Sequence, residues 1–161
     1  MSLSDTIGSK DKNCTCSPNQ INKYIGKISG PLLDRIDIHI EVEAVDYKSL
    51  NNEEKEESSE EIRKRVNEAR KISYERYKKH GIYSNSELTP KLIEKYCKLG
   101  DKEKNILEDA FNKMGFSARA YGRILKVART IADLDKKENI ELKHITEAIG
   151  YRDLDRKYWG N

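Results

Sequence analysis

Apolar residues recur along this chain mostly at helical spacing, and in one stretch at the spacing of a strand. Ser17-Pro18 sets an N-cap before a first-turn proline. Ile21, Tyr24, Ile25 and Ile28 follow as one face of a short amphipathic helix, which Ser29-Gly30-Pro31 ends. Ile36, Ile38, Ile40 and Val42 then alternate with Asp37, His39, Glu41 and Glu43, the period of a half-buried strand. One strand cannot pair its own edges, so its sheet is expected elsewhere. His39 reads as a solvent-facing strand residue with no catalytic role.

From Asp46 to Ser59 the sequence is acidic and polar with nothing to bury, a linker or mobile loop. Ser58 and Glu61 have capping-box spacing, and the helix they open carries Ile62, Val66, Ala69, Ser73 and Tyr77 on one face as far as His80-Gly81. Thr89-Pro90 caps a short helix through Leu92, Ile93, Tyr96, Cys97 and Leu99, ended by Gly100. Asp101 caps another through Ile106, Leu107, Ala110, Phe111 and Met114, ended by Gly115. A last short helix is expected from Ile140 to Ile149, with Leu142, Ile145 and Ala148 inward. The tail after it docks Tyr158 and Trp159.

The strongest pattern lies between these, in FSARAYGRILKVARTIADL, residues 116–134. Ser117 is the N-cap, and Tyr121, Ile124, Leu125, Ala128, Ile131 and Ala132 make a continuous apolar stripe. Arg119, Arg123 and Arg129 leave from the other sides. Arg119 sits in the first turn, where the helix dipole disfavours a cation by about 0.3–1 kcal/mol. A guanidinium there is either incidental or aimed at an anion beyond the helix. From about residue 58 onward the chain therefore reads as a bundle of about four or five helices.

Composition narrows the picture only modestly. Charged residues make up 37% of the 161 and hydrophobic ones 36%, a balance that suits long solvated helices better than a sandwich or barrel. The net charge of +3 does not by itself declare a nucleic-acid binder. No apolar run is long enough for a membrane span, and the start MSLSDTIGSKDKN lacks the apolar core of a secretory signal. The first four residues read as an added leader. Three cysteines, an odd number, suit a reducing cytosol.

Candidate chemistry is sparse. Cys14 and Cys16 are half a zinc site at most, and neither Cys97 nor His39 completes one, so no metal ligands are assigned. Gly26-Lys27 lacks the rest of a phosphate loop, and no nucleophile–histidine–acid set occurs. Two arginines stand out: Arg35, next to the strand pattern, and Arg119. Arg35 has the bland alternative of an exposed ion pair with Asp34 or Asp37, worth little.

SGPLLDRIDIHIEV and FSARAYGRILKVARTIADL, with the ending ITEAIGYRDLDRKYW, closely resemble the C-terminal part of magnesium-chelatase-like AAA+ ATPases, nearest the ComM/YifB competence-protein subfamily. The likeness runs over nearly all of Cys14 to Trp159. It implies a mainly α fold: a helical bundle, the AAA+ C-terminal lid, preceded by a short helix-strand remnant of the α/β core. Residues 1–13 would be leader and disordered start, 14–45 the end of the ATPase core, 46–58 an acidic linker and 59–161 the lid. The Walker motifs, the first sensor and a CPCG-type cysteine pair that would partner Cys14 and Cys16 are implied upstream.

Carried over to matching positions, Arg35 in LLDRID is similar to the arginine finger of this superfamily, which reaches the γ-phosphate held by a neighbouring subunit. Arg119 in SAR resembles the sensor-2 arginine of the lid, which contacts the nucleotide. Arg123 and Arg129 are expected to be ion-paired surface residues. The resemblance implies ATP and Mg2+ as cofactors of the parent protein, with none bound to this part alone. It also implies a hexameric ring of identical subunits, a cytoplasmic location and ATP-driven DNA remodelling of the branch-migration type. Rival readings are magnesium insertion into tetrapyrroles by a related ATPase subunit, and a stand-alone helical adaptor or nucleic-acid module.

Overall fold

A computed structural model describes residues 17–40, 42 and 57–152. The leader, Cys14, Cys16, most of the acidic linker, Tyr158 and Trp159 lie outside the described residues. Helix α1 spans Pro18–Ile25 and α2 spans Gly30–Leu33. The bundle follows: α3 (Ser59–Tyr77), 3-10 turns at Lys78–His80 and Asn85–Glu87, α4 (Pro90–Tyr96), α5 (Asp101–Met114), α6 (Ala118–Leu134) and α7 (Leu142–Gly150).

Local signals set most boundaries. The Ser58 hydroxyl accepts the Glu61 N–H while the Glu61 carboxylate accepts the Ser58 N–H, so both orphan donors of α3 are satisfied. Ser117 accepts the Ala120 N–H at 3.1 Å and starts α6. Gly115 ends α5 at φ +64°, a left-handed conformation that a side chain would strain. Asp101 begins α5, but the cap position itself belongs to Gly100, with no side-chain cap bond.

The helix α6 is the central element. It packs against α7 and α3, and also meets α4 and the Asn85–Glu87 turn, while α5 lies on α7. Ala120, Ile124, Leu125, Ala128 and Ala132 of α6 are buried, and Tyr77, Leu107, Ile140 and Ile145 close over them. Full burial of each of the larger side chains is worth about 1.5–3 kcal/mol.

A buried polar network crosses this core. Asp133 is 1% exposed and accepts from Arg76 (2.5 and 2.9 Å), Ser73 (3.0 Å) and Asn85 (2.9 Å), with Arg129 3.1 Å away. Burial alone would raise its pKa, but the bonds from Arg76 and Asn85 and the charge of Arg129 hold it below the ordinary carboxylate value. Arg129 also donates to the carbonyls of Lys137 and Glu138, fixing the turn after α6. The expected surface ion pair of Arg129 is thus corrected: it is ion-paired, but only 1% exposed. Its position on α6, four residues after Leu125 and three before Ala132, carries it inward.

Two further corrections concern the first segment. The chain turns into helix again at Gly30–Leu33, where the sequence reads as a stop. The expected strand at Ile36–Val42 forms no ladder among the described residues, because a ladder needs a second strand and none is described there. Instead the His39 N–H donates to the Tyr151 carbonyl, at 2.9 Å. His39 is accordingly half-buried rather than solvent-facing.

Candidate functional site

The short helix α2 delivers Asp34 and Arg35 to the N-terminal end of α6. The Ser117 hydroxyl donates to the Asp34 carboxylate at 2.9 and 3.1 Å while still accepting the Ala120 N–H, so one side chain caps the helix and moors the segment. Arg119 approaches the same carboxylate at 3.6 Å, and Arg152 does so from the end of α7, also at 3.6 Å. Arg152 is 1% exposed and donates to the Ile36 carbonyl at 2.6 Å. The anion in front of the helix is therefore a carboxylate of the chain itself, which offsets the unfavourable placement of Arg119 near the positive helix end.

Asp37 pairs with Arg123, as expected for that arginine. With Asp34 and Asp37 both engaged by arginines of the lid, the bland alternative for Arg35 falls away. Among the described residues Arg35 takes part in no ion pair; its guanidinium donates to the Pro31 carbonyl at 2.8 Å, one turn back, and is exposed. The structure thus brings the segment that carries Arg35 to the end of the bundle where Arg119 starts α6, with the preceding residue, Asp34, meeting Arg119. Arg119 keeps 55% of its side chain exposed.

A groove of about 680 Å³ opens beside Arg119 along α6. Arg119, Arg123 and Lys126 edge it, while Ile93, Val127 and Ile131 give it an apolar floor. Sequence reasoning missed Arg152, which lies beyond the last periodic helix and carries no spacing signal. Elsewhere Asp135, Glu141 and His144 cluster tightly enough to suggest metal ligands. Both ring nitrogens of His144 are engaged, however: Nδ1 accepts the Glu141 N–H and Nε2 meets Asp135 at 3.0 Å. That trio caps α7.

Comparison with known proteins gives a consistent set of likenesses. The family described as magnesium chelatase, subunit ChlI C-terminal, matches residues 56–152, and that described as magnesium chelatase, subunit ChlI, matches residues 2–50. The competence protein ComM of Haemophilus influenzae is 48% identical over 141 residues, 87% of this chain and 27% of that protein. The uncharacterized protein YifB of Salmonella typhimurium is 40% identical over 142 residues, 88% of this chain and 27% of that protein. A Mycobacterium tuberculosis protein is 28% identical over 141 residues. The chain spans about a quarter of the length of these curated relatives, 27% for the first.

Proposed function

Because the chain belongs to the magnesium chelatase ChlI C-terminal family and is of the ComM/YifB type, we propose that it forms the end of an AAA+ ATPase core and the lid of a ring-forming, ATP-dependent DNA-remodelling protein. In this reading residues 14–45 close the core and 59–161 are the lid. Arg35 is the finger that completes a neighbouring subunit's site, and Arg119 is the sensor that reads the nucleotide. The observation that carries the reading is the state of Arg35. The acids beside it are taken by Arg119, Arg123 and Arg152, which leaves an exposed guanidinium outside any ion pair among the described residues.

The residues present fit a nucleotide's phosphates. Arg119 offers a half-exposed fork of donors at a helix start, where backbone N–H groups and the dipole also favour an anion. ATP with Mg2+ supplies the transferable phosphoryl group when bound. Arg119 would exchange the Asp34 carboxylate for a phosphate of that nucleotide, and Arg35 would reach the phosphoryl oxygens held by a neighbouring subunit. A cation so placed is worth roughly 10³–10⁵ in rate. Because Ser117 moors Asp34, the lid and the segment bearing Arg35 move together.

The name of the 48% identical relative, a competence protein, supports DNA handling over magnesium insertion into tetrapyrroles. The greater length of the relatives speaks against a stand-alone adaptor. Among the described residues no helix is long and apolar enough to cross a membrane. The test is ATP turnover by the full-length protein with rising fractions of Arg35→Ala subunits mixed into wild type. Turnover falling more steeply than the mutant fraction is the expected result. A proportional fall would confine Arg35 to its own subunit, and no fall would return it to an ordinary surface residue.

A further inference from the structure

Helix α3 sorts its charges. Arg65 pairs with Glu57, Arg76 with Asp133, Glu75 with Lys78 and Glu68 with Lys136. What these pairs leave over is mostly basic: Arg63, Lys64, Arg70 and Lys71, against Glu60 and the capping Glu61, are exposed and, among the described residues, belong to no ion pair. At helical spacing Arg63, Arg70 and Lys71 fall on one stripe with Asn67 and Tyr74, which flanks the buried face of Ala69, Ser73 and Tyr77. A groove of about 500 Å³ lined by Glu60, Arg63, Lys64, Asn67, Glu68 and Lys71 adjoins the N-terminal part of that stripe.

The stripe ends in aromatic rings. Tyr74 and Tyr83 stack with centroids 5.9 Å apart and planes 11° from parallel, yet they stay 44% and 63% exposed. The loop holding Tyr83 is pinned, since its N–H and the Ser84 hydroxyl both donate to Glu87. A merely solvated charged face has no use for a fixed, exposed aromatic pair. Arg63 and Tyr74 lie about 16 Å apart along the helix, the scale of a few nucleotides.

We propose that the Arg63–Arg70–Lys71 stripe and the Tyr74–Tyr83 stack form a contact surface for single-stranded nucleic acid. The cations track phosphates and the outer ring face of Tyr83 receives a base. This is a stacking platform joined to an electrostatic track, the combination that holds single strands without reading sequence. The surface rests on the DNA-remodelling reading for its use, but not on the nucleotide roles of Arg35 and Arg119.

The test is fluorescence anisotropy of a labelled oligothymidylate of about 20 nucleotides against the full chain, without ATP, between about 50 and 200 mM salt. Replacing Arg63, Arg70 and Lys71 together by alanine should weaken binding and lower the slope of log affinity against log salt by about 2. Tyr83→Ala should weaken binding by about 5- to 150-fold with the slope kept, while Tyr83→Phe binds as wild type. Unchanged melting curves would confirm that these exposed substitutions spare the fold. No binding by wild type would overturn the proposal. So would equal binding to duplex, or binding that these variants leave intact; the last result would place DNA on another surface and spare the DNA-remodelling reading.

Discussion

The Ser117 hydroxyl and the Asp34 carboxylate meet at 2.9 Å across 83 residues of sequence, joining the first turn of the central helix to the segment that carries Arg35. One oxygen thereby serves two ends, since Ser117 also accepts the Ala120 N–H that α6 would otherwise leave unpaired. Ser117→Ala should cost about 1–2 kcal/mol in urea unfolding. Asp34→Ala should leave α6 capped but raise amide hydrogen exchange over residues 34–39. If exchange there is the same in Asp34→Ala and wild type, the carboxylate does not hold the segment.

Arg119→Ala removes a half-exposed side chain, and its effect on stability should stay within about 0.5 kcal/mol. In the full-length protein it should weaken nucleotide binding or separate binding from hydrolysis, read by calorimetric titration and turnover. A lowered melting temperature with unchanged nucleotide binding would leave Arg119 a structural residue only.

Asp133→Ala should be far more damaging, because it strands Arg76 and the buried Arg129 without their carboxylate. A loss of about 3–5 kcal/mol is expected, or roughly 15 °C or more in melting temperature. Thermal unfolding followed by circular dichroism measures it. A loss under about 1 kcal/mol would mean that the network contributes little net stability.

Acid should weaken the fold for a related reason. Asp135, bonded by Lys143 and His144, has a pKa of about 2 against an ordinary 3.8. A depressed carboxylate contributes stability that is present above the unfolded value and lost as pH falls through the folded one. For Asp135 that window runs from 3.8 down to about 2. Asp133 acts in the same direction. Asp135→Asn should therefore flatten the fall in urea midpoint across this range, and a slope equal to wild type would remove Asp135 from the account.

Gly115→Ala tests the backbone alone. Nothing lies within 4 Å of the added methyl, so any cost comes from the φ of +64°. About 1–2 kcal/mol is expected by urea unfolding. A neutral result would mean that the turn relaxes to another conformation.

What the sequence made legible was local. Ser58 with Glu61, Ser117 with Ala120, and the stripe from Ile124 to Ala132 are settled by residues within a turn or two of one another, and they fold as the spacing implies. Arg129 misled because its burial depends on the elements around Arg76, Asn85 and the turn after α6, far from it in sequence or beyond its helix. The strand pattern at Ile36–Val42 forms no strand among the described residues, because pairing is a property of two segments, and the His39 N–H bonds the Tyr151 carbonyl instead. Arg35 and Arg119 were visible as odd placements. That the acids beside Arg35 are claimed by Arg119, Arg123 and Arg152 is a tertiary fact that no spacing carries.

The bond from Arg152 to the Ile36 carbonyl spans 116 residues, and helices α3 to α7 lie wholly between its ends. A contact of that reach closes late, because a chain made from its N-terminus must finish the last helix before Arg152 exists to dock. The segment bearing Arg35 leaves the ribosome early and waits. A growing chain accordingly has its lid helices before it has a placed Arg35; on the proposed reading of Arg35, an unfinished copy would join a neighbour without completing the neighbour's site.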